Sequence, residues 1–161
     1  YLMAGSPDGV GNVNPVGEYN VWADPEAATA VFDAAGAKTM IGWNISRTYA
    51  VMTPPETERL RSCGRLGRFA VDINADVDKF CRDNGLEGMD FPDPVAMAVA
   101  LDDSIITEAT EERLVVGLDG PTRGATLPDR RIKSVPPTIR VVWRVDEAAF
   151  KNRLYAACSD H

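Results

Sequence analysis

The stretch Gly11–Ala28, GNVNPVGEYNVWADPEAA, is the one around which the rest of the chain is organised. Asn12, Glu18 and Asn20 lie in a loop punctuated by glycine and proline that runs directly into a helix start. Asp24 is placed to cap that helix, because a proline follows it at the first helical position. Asn offers both donors and an acceptor and Glu offers acceptors only, a combination suited to gripping the vicinal hydroxyl groups of a sugar.

The same stretch also has a purely structural interpretation. Asn and Gly form turns in loops of every function, and spacing alone favours that interpretation. The sugar-site hypothesis therefore depends on support from the rest of the chain.

Composition is typical of a single globular domain. The chain has 161 residues, of which 45% are hydrophobic and 25% charged, enough for one domain with its own core. The net charge of −7 argues against nucleic-acid binding, because no basic stripe is present to neutralise phosphates. No apolar run approaches the roughly 20 residues that a membrane-spanning helix needs. We therefore expect neither nucleic acid nor membrane as a partner.

Cysteine and histidine usage limits the chemistry that the chain can perform. Cys63, Cys81 and Cys158 are widely spaced without a CxxC pair, which is typical of reduced thiols in a cytoplasmic protein and not of a zinc ribbon or disulfide framework. The only histidine is His161, the last residue, so a Ser-His-Asp or Cys-His catalytic arrangement is not expected. Acid–base or metal chemistry would therefore use carboxylates.

The first third of the chain alternates predicted strands and helices. It opens on the strand end Tyr1–Met3, without an initiator methionine, and we expect an N-terminal part to be missing. A helix is predicted over Pro25–Ala35, where Gly36 would end it. The short apolar runs Thr39–Trp43 and Tyr49–Met52 predict two strands.

Two further helices are predicted from capping and periodicity. Thr53–Glu56 has the spacing of a capping box, so a helix is expected to begin there. In the longer helix that follows, apolar residues recur on one face and are expected to pack in the core, namely Phe69, Ile73, Val77 and Phe80. Contact with a pocket is the alternative for Phe80, near the end of this stripe.

The stretch Gly88–Asp103, GMDFPDPVAMAVALDD, holds another candidate residue. Asp93 is predicted to be an N-cap, with Pro94 opening a helix so apolar that we expect it to be buried on nearly every side. A carboxylate at this position usually caps free N–H groups, and spacing alone favours that role. The alternative role is an oxygen ligand for a hard cation.

The last part of the chain alternates strands and turns before one final helix. Strands are predicted over Arg113–Leu118 and Thr138–Val145, and Asp146 is expected to cap a helix bearing Phe150 and Leu154. Strands alternating with helices predict an α/β fold with a largely parallel sheet, whose ligands gather at the carboxyl ends of strands. Both candidate loops precede helices, as that rule expects.

An ordered set of short motifs runs through nearly the whole chain. Its members are Leu2-Met3-Ala4-Gly5, Gly11-Asn12, Glu18-Tyr19-Asn20, Asp24-Pro25-Glu26-Ala27-Ala28, Thr39-Met40-Ile41-Gly42, Asp93-Pro94 and Thr122-Arg123-Gly124. Each motif alone is weak, but in this order the set resembles the C-terminal half of the inosine-uridine preferring nucleoside hydrolase family. The resemblance implies an open, largely parallel Rossmann-like sheet, with residues 1–161 forming the C-terminal portion of a single domain.

The resemblance also implies a function. Members of this family hydrolyse the N-glycosidic bond of a ribonucleoside to free base and ribose, with a calcium ion in the site. By position, the implied substrate-binding residues are Met3, Asn12, Glu18, Tyr19, Asn20 and Asp93. Asn12, Glu18 and Asn20 would hold ribose hydroxyls, and Asp93 would also be a calcium ligand. The full-length protein is expected to be a homodimer or homotetramer in the cytoplasm.

The chain departs from the family pattern in two respects. The aspartate-rich N-terminal motif, which supplies most metal ligands and the general base, is absent from this chain, so the catalytic base is not assigned and the chain alone is expected to be inactive. Pro92 stands where some members carry a histidine that protonates the leaving base, and proline cannot donate. Preference for purine or pyrimidine bases is therefore not carried over.

Two alternatives remain open from the sequence. A non-catalytic module that binds ribosides or sugars, or a degenerate relic of the fold, would fit the missing metal motif. An enzyme of this fold acting on an unusual or modified nucleoside would fit Pro92. Dinucleotide binding ranks far lower, because no GxGxxG follows a predicted strand.

Overall fold

The computed structural model describes residues 1–131 and 136–159, which divide into two compact units. The first unit comprises the described residues of Tyr1–Ile45 and Ile106–Val145, and the second those of Ser46–Ile105 and Asp146–His161. His161 itself lies outside the described residues.

The described residues form short strands and helices that alternate along the chain. The strands are β1 (Leu2–Met3), β2 (Thr39–Ile41), β3 (Val51–Met52), β4 (Met89–Asp90), β5 (Ile106–Glu112), β6 (Leu114–Val116), β7 (Thr126–Pro128) and β8 (Ile139–Val145). The α-helices are α1 (Tyr19–Ala23), α2 (Pro25–Asp33), α3 (Trp43–Tyr49), α4 (Pro54–Ser62), α5 (Arg65–Asp72), α6 (Ala75–Asp83), α7 (Pro92–Leu101) and α8 (Glu147–Cys158). None of the helices in the described part of the chain is long and apolar enough to cross a membrane.

The main sheet lies in the first unit and has the strand order β1-β2-β8-β5. β1 pairs parallel to β2 and β2 parallel to β8, whereas β5 runs antiparallel to β8. The largely parallel α/β fold expected from the sequence is confirmed. β5 was not predicted, because its sequence ITEATEE contains mainly polar residues and carries no apolar run.

The core of the first unit is formed by strands packing against α1 and α2. α2 begins as predicted, since the Asp24 carboxylate accepts a hydrogen bond from the amide of Ala27 at 2.9 Å. The buried cluster consists of Val21, Phe32, Met40, Leu114, Val116, Ile139 and Val141. This core holds the carboxyl end of β1, from which the candidate loop departs.

The second unit is built from α4–α8 and the small antiparallel sheet β3–β4. The capping box at α4 is present, because the Glu56 carboxylate accepts hydrogen bonds from the Thr53 amide at 2.9 Å and the Thr53 hydroxyl at 2.8 Å. Asp146 caps α8 through the amide of Ala149 at 2.9 Å, as predicted. Phe150 of α8 is fully buried.

The prediction of one long helix after α4 is wrong in its continuity and in the face that it was expected to bury. It is divided into α5 and α6, and the Asn74 amide group between them donates to the carbonyl of Ala70 at 2.9 Å. α5 packs through Gly67, whose missing Cβ would lie 2.0 Å from the carbonyl oxygen of Leu60. The close approach of this small face leaves the predicted stripe exposed to solvent, with exposed fractions of 47–63% for Phe69, Ile73, Val77 and Phe80.

The start and burial of α7 also differ from the prediction. The helix begins at Pro92 with Phe91 in the N-cap position, so Asp93 lies inside the first turn and caps nothing. The helix is not buried on nearly every side, because Met97 and Leu101 are exposed while Val95 and Val99 are buried. The uniform apolar sequence therefore did not show which side of α7 packs.

Some strand bounds were also predicted too long. The run predicted as strand Thr39–Trp43 ends at Ile41, and Trp43 begins α3. The predicted strands Tyr49–Met52 and Arg113–Leu118 shorten to Val51–Met52 and Leu114–Val116. Local turn hydrogen bonds, such as Ile45 N–H to the Gly42 carbonyl at 3.0 Å, end β2 early.

The outward orientation of the Phe69 face of α5 can be tested by comparing the truncation of this exposed ring with that of the buried ring of Phe150 in α8. Phe150→Ala should lower the free energy of unfolding by about 3–5 kcal/mol, because it leaves a cavity. Phe69→Ala should cost about 0.5 kcal/mol or less, because its ring is already 61% exposed. Urea denaturation measures both values, and equal losses would contradict the structure.

The ion pair between α4 and α8 predicts a dependence of stability on acid pH. Burial would raise the pKa of Glu56, but hydrogen bonds from Lys151 and Thr53 outweigh it and lower the pKa below its ordinary value of 4.5. Glu56 therefore stabilises the folded state above pH 4.5 and loses that contribution as the pH falls through its folded pKa. Lys151→Met should weaken this loss in acid denaturation curves, whereas Lys79→Met, which removes an exposed pair with Asp83, should not.

Candidate functional site

The Glu18 carboxylate is the centre of the candidate loop. It is the N-cap of α1, and its two oxygens accept hydrogen bonds from the amides of Asn20 at 2.8 Å and Val21 at 3.3 Å. A further amide, that of Gly5 just after β1, donates to the same carboxylate at 2.8 Å. Glu18 is only 2% exposed, so these bonds compensate for much of the cost of burying its charge. The carboxylate thereby joins the end of β1 to the start of α1.

Gly5 allows this junction because of its backbone conformation and its lack of a side chain. Its φ is +74°, and a Cβ there would lie 2.6 Å from the Thr126 hydroxyl oxygen. The Gly5 carbonyl accepts a hydrogen bond from the amide of Trp43 at 2.8 Å. Gly5 thus connects the carboxylate, the end of β1 and the start of α3 in one place.

Asn20 lies beside Met3 at the carboxyl end of β1. Its side-chain NH₂ donates to the Met3 carbonyl at 3.1 Å and lies 3.3 Å from the Met3 sulfur. The Asn20 side chain is exposed, and its amide oxygen accepts no hydrogen bond from the residues that the structure describes. This oxygen remains available as an acceptor for a hydroxyl group.

Asn12 of the loop is bonded to Tyr19, which together with Asn20 belongs to the short helix α1 and not to the loop predicted from the sequence. The Asn12 side-chain oxygen accepts a hydrogen bond from the Tyr19 amide at 2.9 Å, so its exposed NH₂ group remains as a donor. The Tyr19 ring is 58% exposed and lies 6.4 Å from the Trp22 ring between centroids. The loop and the first turn of α1 therefore present a donor, an acceptor and an aromatic ring near one buried carboxylate.

Asn14, within the loop, and Arg123, from a distant part of the chain, together support the loop. The Asn14 side chain accepts from the Gly17 amide at 2.6 Å and donates to the Arg123 carbonyl at 2.8 Å. The Arg123 guanidinium donates to the carbonyls of Trp22 at 3.2 Å and Leu118 at 3.1 Å. Neither residue was assigned a role from the sequence, although the Thr122-Arg123-Gly124 motif was a signal that could have identified Arg123.

Asp93 belongs to the second unit and has few contacts there. It is exposed in the first turn of α7, and it makes no hydrogen bond or ion pair with the rest of the described chain. Its carboxylate oxygens are therefore available to a ligand. The structure thus brings together Met3, Asn12, Glu18, Tyr19 and Asn20 in the first unit and places Asp93 in the second.

The described residues do not by themselves form a calcium site. Within ranges 1–131 and 136–159, no group of three or more His, Cys, Asp and Glu side chains is arranged to hold a metal ion. Calcium needs about six to eight oxygen ligands, and Asp93 can supply no more than two of them. The carboxylate chemistry fits a hard cation, but the ligand number does not.

Comparison with known proteins identifies the family. The model of the inosine-uridine preferring nucleoside hydrolases matches residues 1–152, and the chain belongs to this family. It is 31% identical over 158 residues to the probable uridine nucleosidase 2 of Arabidopsis thaliana, covering 92% of this chain and 48% of that protein. It is 31% identical over 135 residues to the inosine-uridine preferring nucleoside hydrolase of Leishmania major, covering 81% and 41%.

Solved structures agree with this assignment. The purine-preferring ribonucleoside hydrolase from Gardnerella vaginalis superposes with a TM-score of 0.82 at 30% identity, covering 97% of this chain and 51% of that chain. The chain thus spans about half the length of the relatives it matches. The names of these relatives refer to uridine, inosine and purine substrates, so membership of the family does not define a base preference.

The structural role of Glu18 predicts a specific cost for its amide analogue. Glu18→Gln replaces one acceptor oxygen by an NH₂ group facing a backbone N–H, which should lower the free energy of unfolding by about 1–3 kcal/mol. Glu26→Gln makes the same chemical change at an exposed position of α2 and should cost far less. Thermal unfolding of both variants measures the difference, and equal stability would show that the three amide bonds contribute little.

Proposed function

We propose that this chain is the C-terminal part of an enzyme that hydrolyses the N-glycosidic bond of a ribonucleoside to free base and ribose. Membership of the family supports the reaction class. The chain matches only about half the length of its relatives, which supports the proposal that it is one part of a longer enzyme. The single observation that carries the proposal is the buried Glu18 carboxylate, surrounded by the exposed polar groups of Asn12 and Asn20. On this proposal the chain alone does not turn over nucleosides.

In this proposal the loop residues bind the ribose. The free NH₂ of Asn12 and the free amide oxygen of Asn20 supply a donor and an acceptor for neighbouring hydroxyls. Met3 and Tyr19 supply the apolar surface against which the sugar ring and the base would lie. Departure of the base leaves positive charge on the ribose ring, and the fixed negative charge of Glu18 is preorganised to stabilise it.

Asp93 is proposed as one ligand of a calcium ion that also binds the ribose. Its exposed carboxylate, without partners in the described part of the chain, supports that role. The remaining ligands and the general base would come from residues that this chain does not contain. When bound there, such a cation would supply an activated and positioned water molecule.

The group that assists departure of the base is left unassigned, because Pro92 carries no donor. The substrate class is therefore a ribonucleoside without an assigned base preference, and ribonucleosides with unusual or modified bases belong to it. We further propose that the full-length enzyme is a cytoplasmic homodimer or homotetramer.

A second candidate function is binding of ribosides or sugars without cleavage. The observation that favours it is that the Glu18 carboxylate already accepts three backbone hydrogen bonds, which occupy most of its acceptor sites. The absence of a metal-binding cluster among the described residues is also compatible with it. Nucleoside binding by the full-length protein without base release at any calcium concentration would favour this function.

Asp93 is the best position at which to test the enzymatic proposal, because its side chain has no structural partner. Asp93→Asn in the full-length protein should leave the melting temperature unchanged and reduce base release from uridine or inosine by at least about 100-fold. The matched control is Asp76→Asn, which alters another exposed carboxylate in the first turn of a helix and should retain activity. Base release is followed by absorbance with and without a calcium chelator. Unchanged turnover in Asp93→Asn would contradict the proposed role.

A further inference from the structure

Helices α4 and α8 lie side by side and run in the same direction. Near the start of α4, the Glu56 carboxylate is 2.8 Å from the ammonium group of Lys151 on α8. One turn further along both helices, the guanidinium of Arg59 lies 4.0 Å from the centroid of the Tyr155 ring. Contacts therefore advance together along the two helices, by three or four residues at each step.

The same register places one cysteine at the next turn of each helix. Cys63 follows Arg59 by one turn at the end of α4, and Cys158 follows Tyr155 by one turn at the end of α8. Neither position is fully buried, and both thiols are free. The thiol of Cys63 donates to the carbonyl of Arg59 at 3.4 Å, which keeps it next to the residue whose guanidinium contacts Tyr155 of α8.

An independent contact supports this neighbourhood. A Cβ built on Gly67 of α5 would lie 3.5 Å from the Cys158 Cβ and 2.0 Å from the carbonyl oxygen of Leu60. That same carbonyl accepts a hydrogen bond from the amide of Cys63 at 3.1 Å. Both cysteines therefore flank the Leu60 carbonyl. Burial is the main cause that raises the pKa of the Cys158 thiol. The negative charge of a Cys63 thiolate is the second cause, as expected when the two side chains are neighbours.

We propose that Cys63 and Cys158 form a reactive dithiol that low-molecular-weight disulfides such as oxidised glutathione convert to an intramolecular disulfide. The thiolate of Cys63 attacks one sulfur of the oxidant and releases one glutathione thiolate, which leaves a mixed disulfide on Cys63. The thiolate of Cys158 then attacks the Cys63 sulfur and releases the second glutathione. Two protein thiols are oxidised, the added disulfide is reduced to two thiols, and two protons pass to the leaving thiolates or to water.

The disulfide would fasten the last turn of α8 to the end of α4 and close a long loop of the chain. Such a closure stabilises the fold by restricting the unfolded state. Because the raised pKa of Cys158 keeps its thiol protonated at neutral pH, the closing step becomes faster as the pH rises. This site is independent of the proposed nucleoside chemistry, since none of its residues belongs to the candidate loop or to the start of α7.

The test is to incubate the reduced, folded protein with oxidised glutathione at mildly alkaline pH and to count the remaining thiols. Of the three thiols in this chain only that of Cys81 should remain, the mass should fall by two hydrogen atoms, and peptide mapping should link Cys63 to Cys158. The melting temperature should rise by at least about 5 °C and return on addition of a reductant. No nucleoside is present, so failure of the proposed enzymatic function would not affect the outcome.

Matched variants identify the residues responsible. Cys63→Ser and Cys158→Ser should each lose the thermal shift, and Cys63→Ser should keep both remaining thiols. Cys81→Ala removes the buried third cysteine on α6 and should still form the disulfide. Retention of all three thiols, stable glutathione adducts on unlinked cysteines, or a disulfide that contains Cys81 would each overturn the proposal.

Discussion

The hydrogen bonds that the Glu18 carboxylate accepts are the interaction on which the candidate site depends. A carboxylate that is 2% exposed costs free energy unless fixed donors surround it. Here the donors are the backbone amides of Gly5, Asn20 and Val21, one from the end of a strand and two from the first turn of a helix. The position of Asn20 beside Met3 follows from this junction. The charge of Glu18 thus determines the conformation of the loop as well as its possible chemistry.

Because Glu18 has both a structural role and a possible chemical role, substitutions of Glu18 and of Asp93 report on different properties of the protein. A substitution of Glu18 perturbs the loop whether or not a ligand is ever bound, so loss of function there would not by itself establish contact with a substrate. Asp93 has no partners in the described chain and contributes little to the fold. Its conservative substitution therefore reports on a ligand more directly than that of Glu18.

The features that could be predicted from sequence are those determined by local contacts. The caps at Asp24 and Asp146, the capping box before α4 and the apolar strand β8 follow from neighbouring residues, and the structure confirms them. Clustering of the loop polar residues was anticipated through the ordered motifs and the expected sugar site. The role of Glu18 as an N-cap was not predicted, because Glu is not among the preferred capping residues and its third donor, the amide of Gly5, is distant in the sequence.

The features that could not be predicted depend on which faces of the helices pack in the core and on which strands pair. Periodicity identified the stripe through Phe69 and Phe80, but not that the small face at Gly67 would pack instead. The polar strand β5 is stabilised by pairing with β8, which no local pattern shows. In α7, nearly every residue is apolar, so its exposed side is determined by its neighbours alone.

Amide hydrogen exchange in the wild-type protein and in Glu18→Gln tests the central role of this carboxylate most directly. The amides of Gly5, Asn20 and Val21 should be protected together in the wild type and should lose protection together in the variant, while the amides of α8 remain unchanged. Rapid exchange of these three amides in the wild type, or unchanged protection in the variant, would show that the Glu18 carboxylate does not organise the loop.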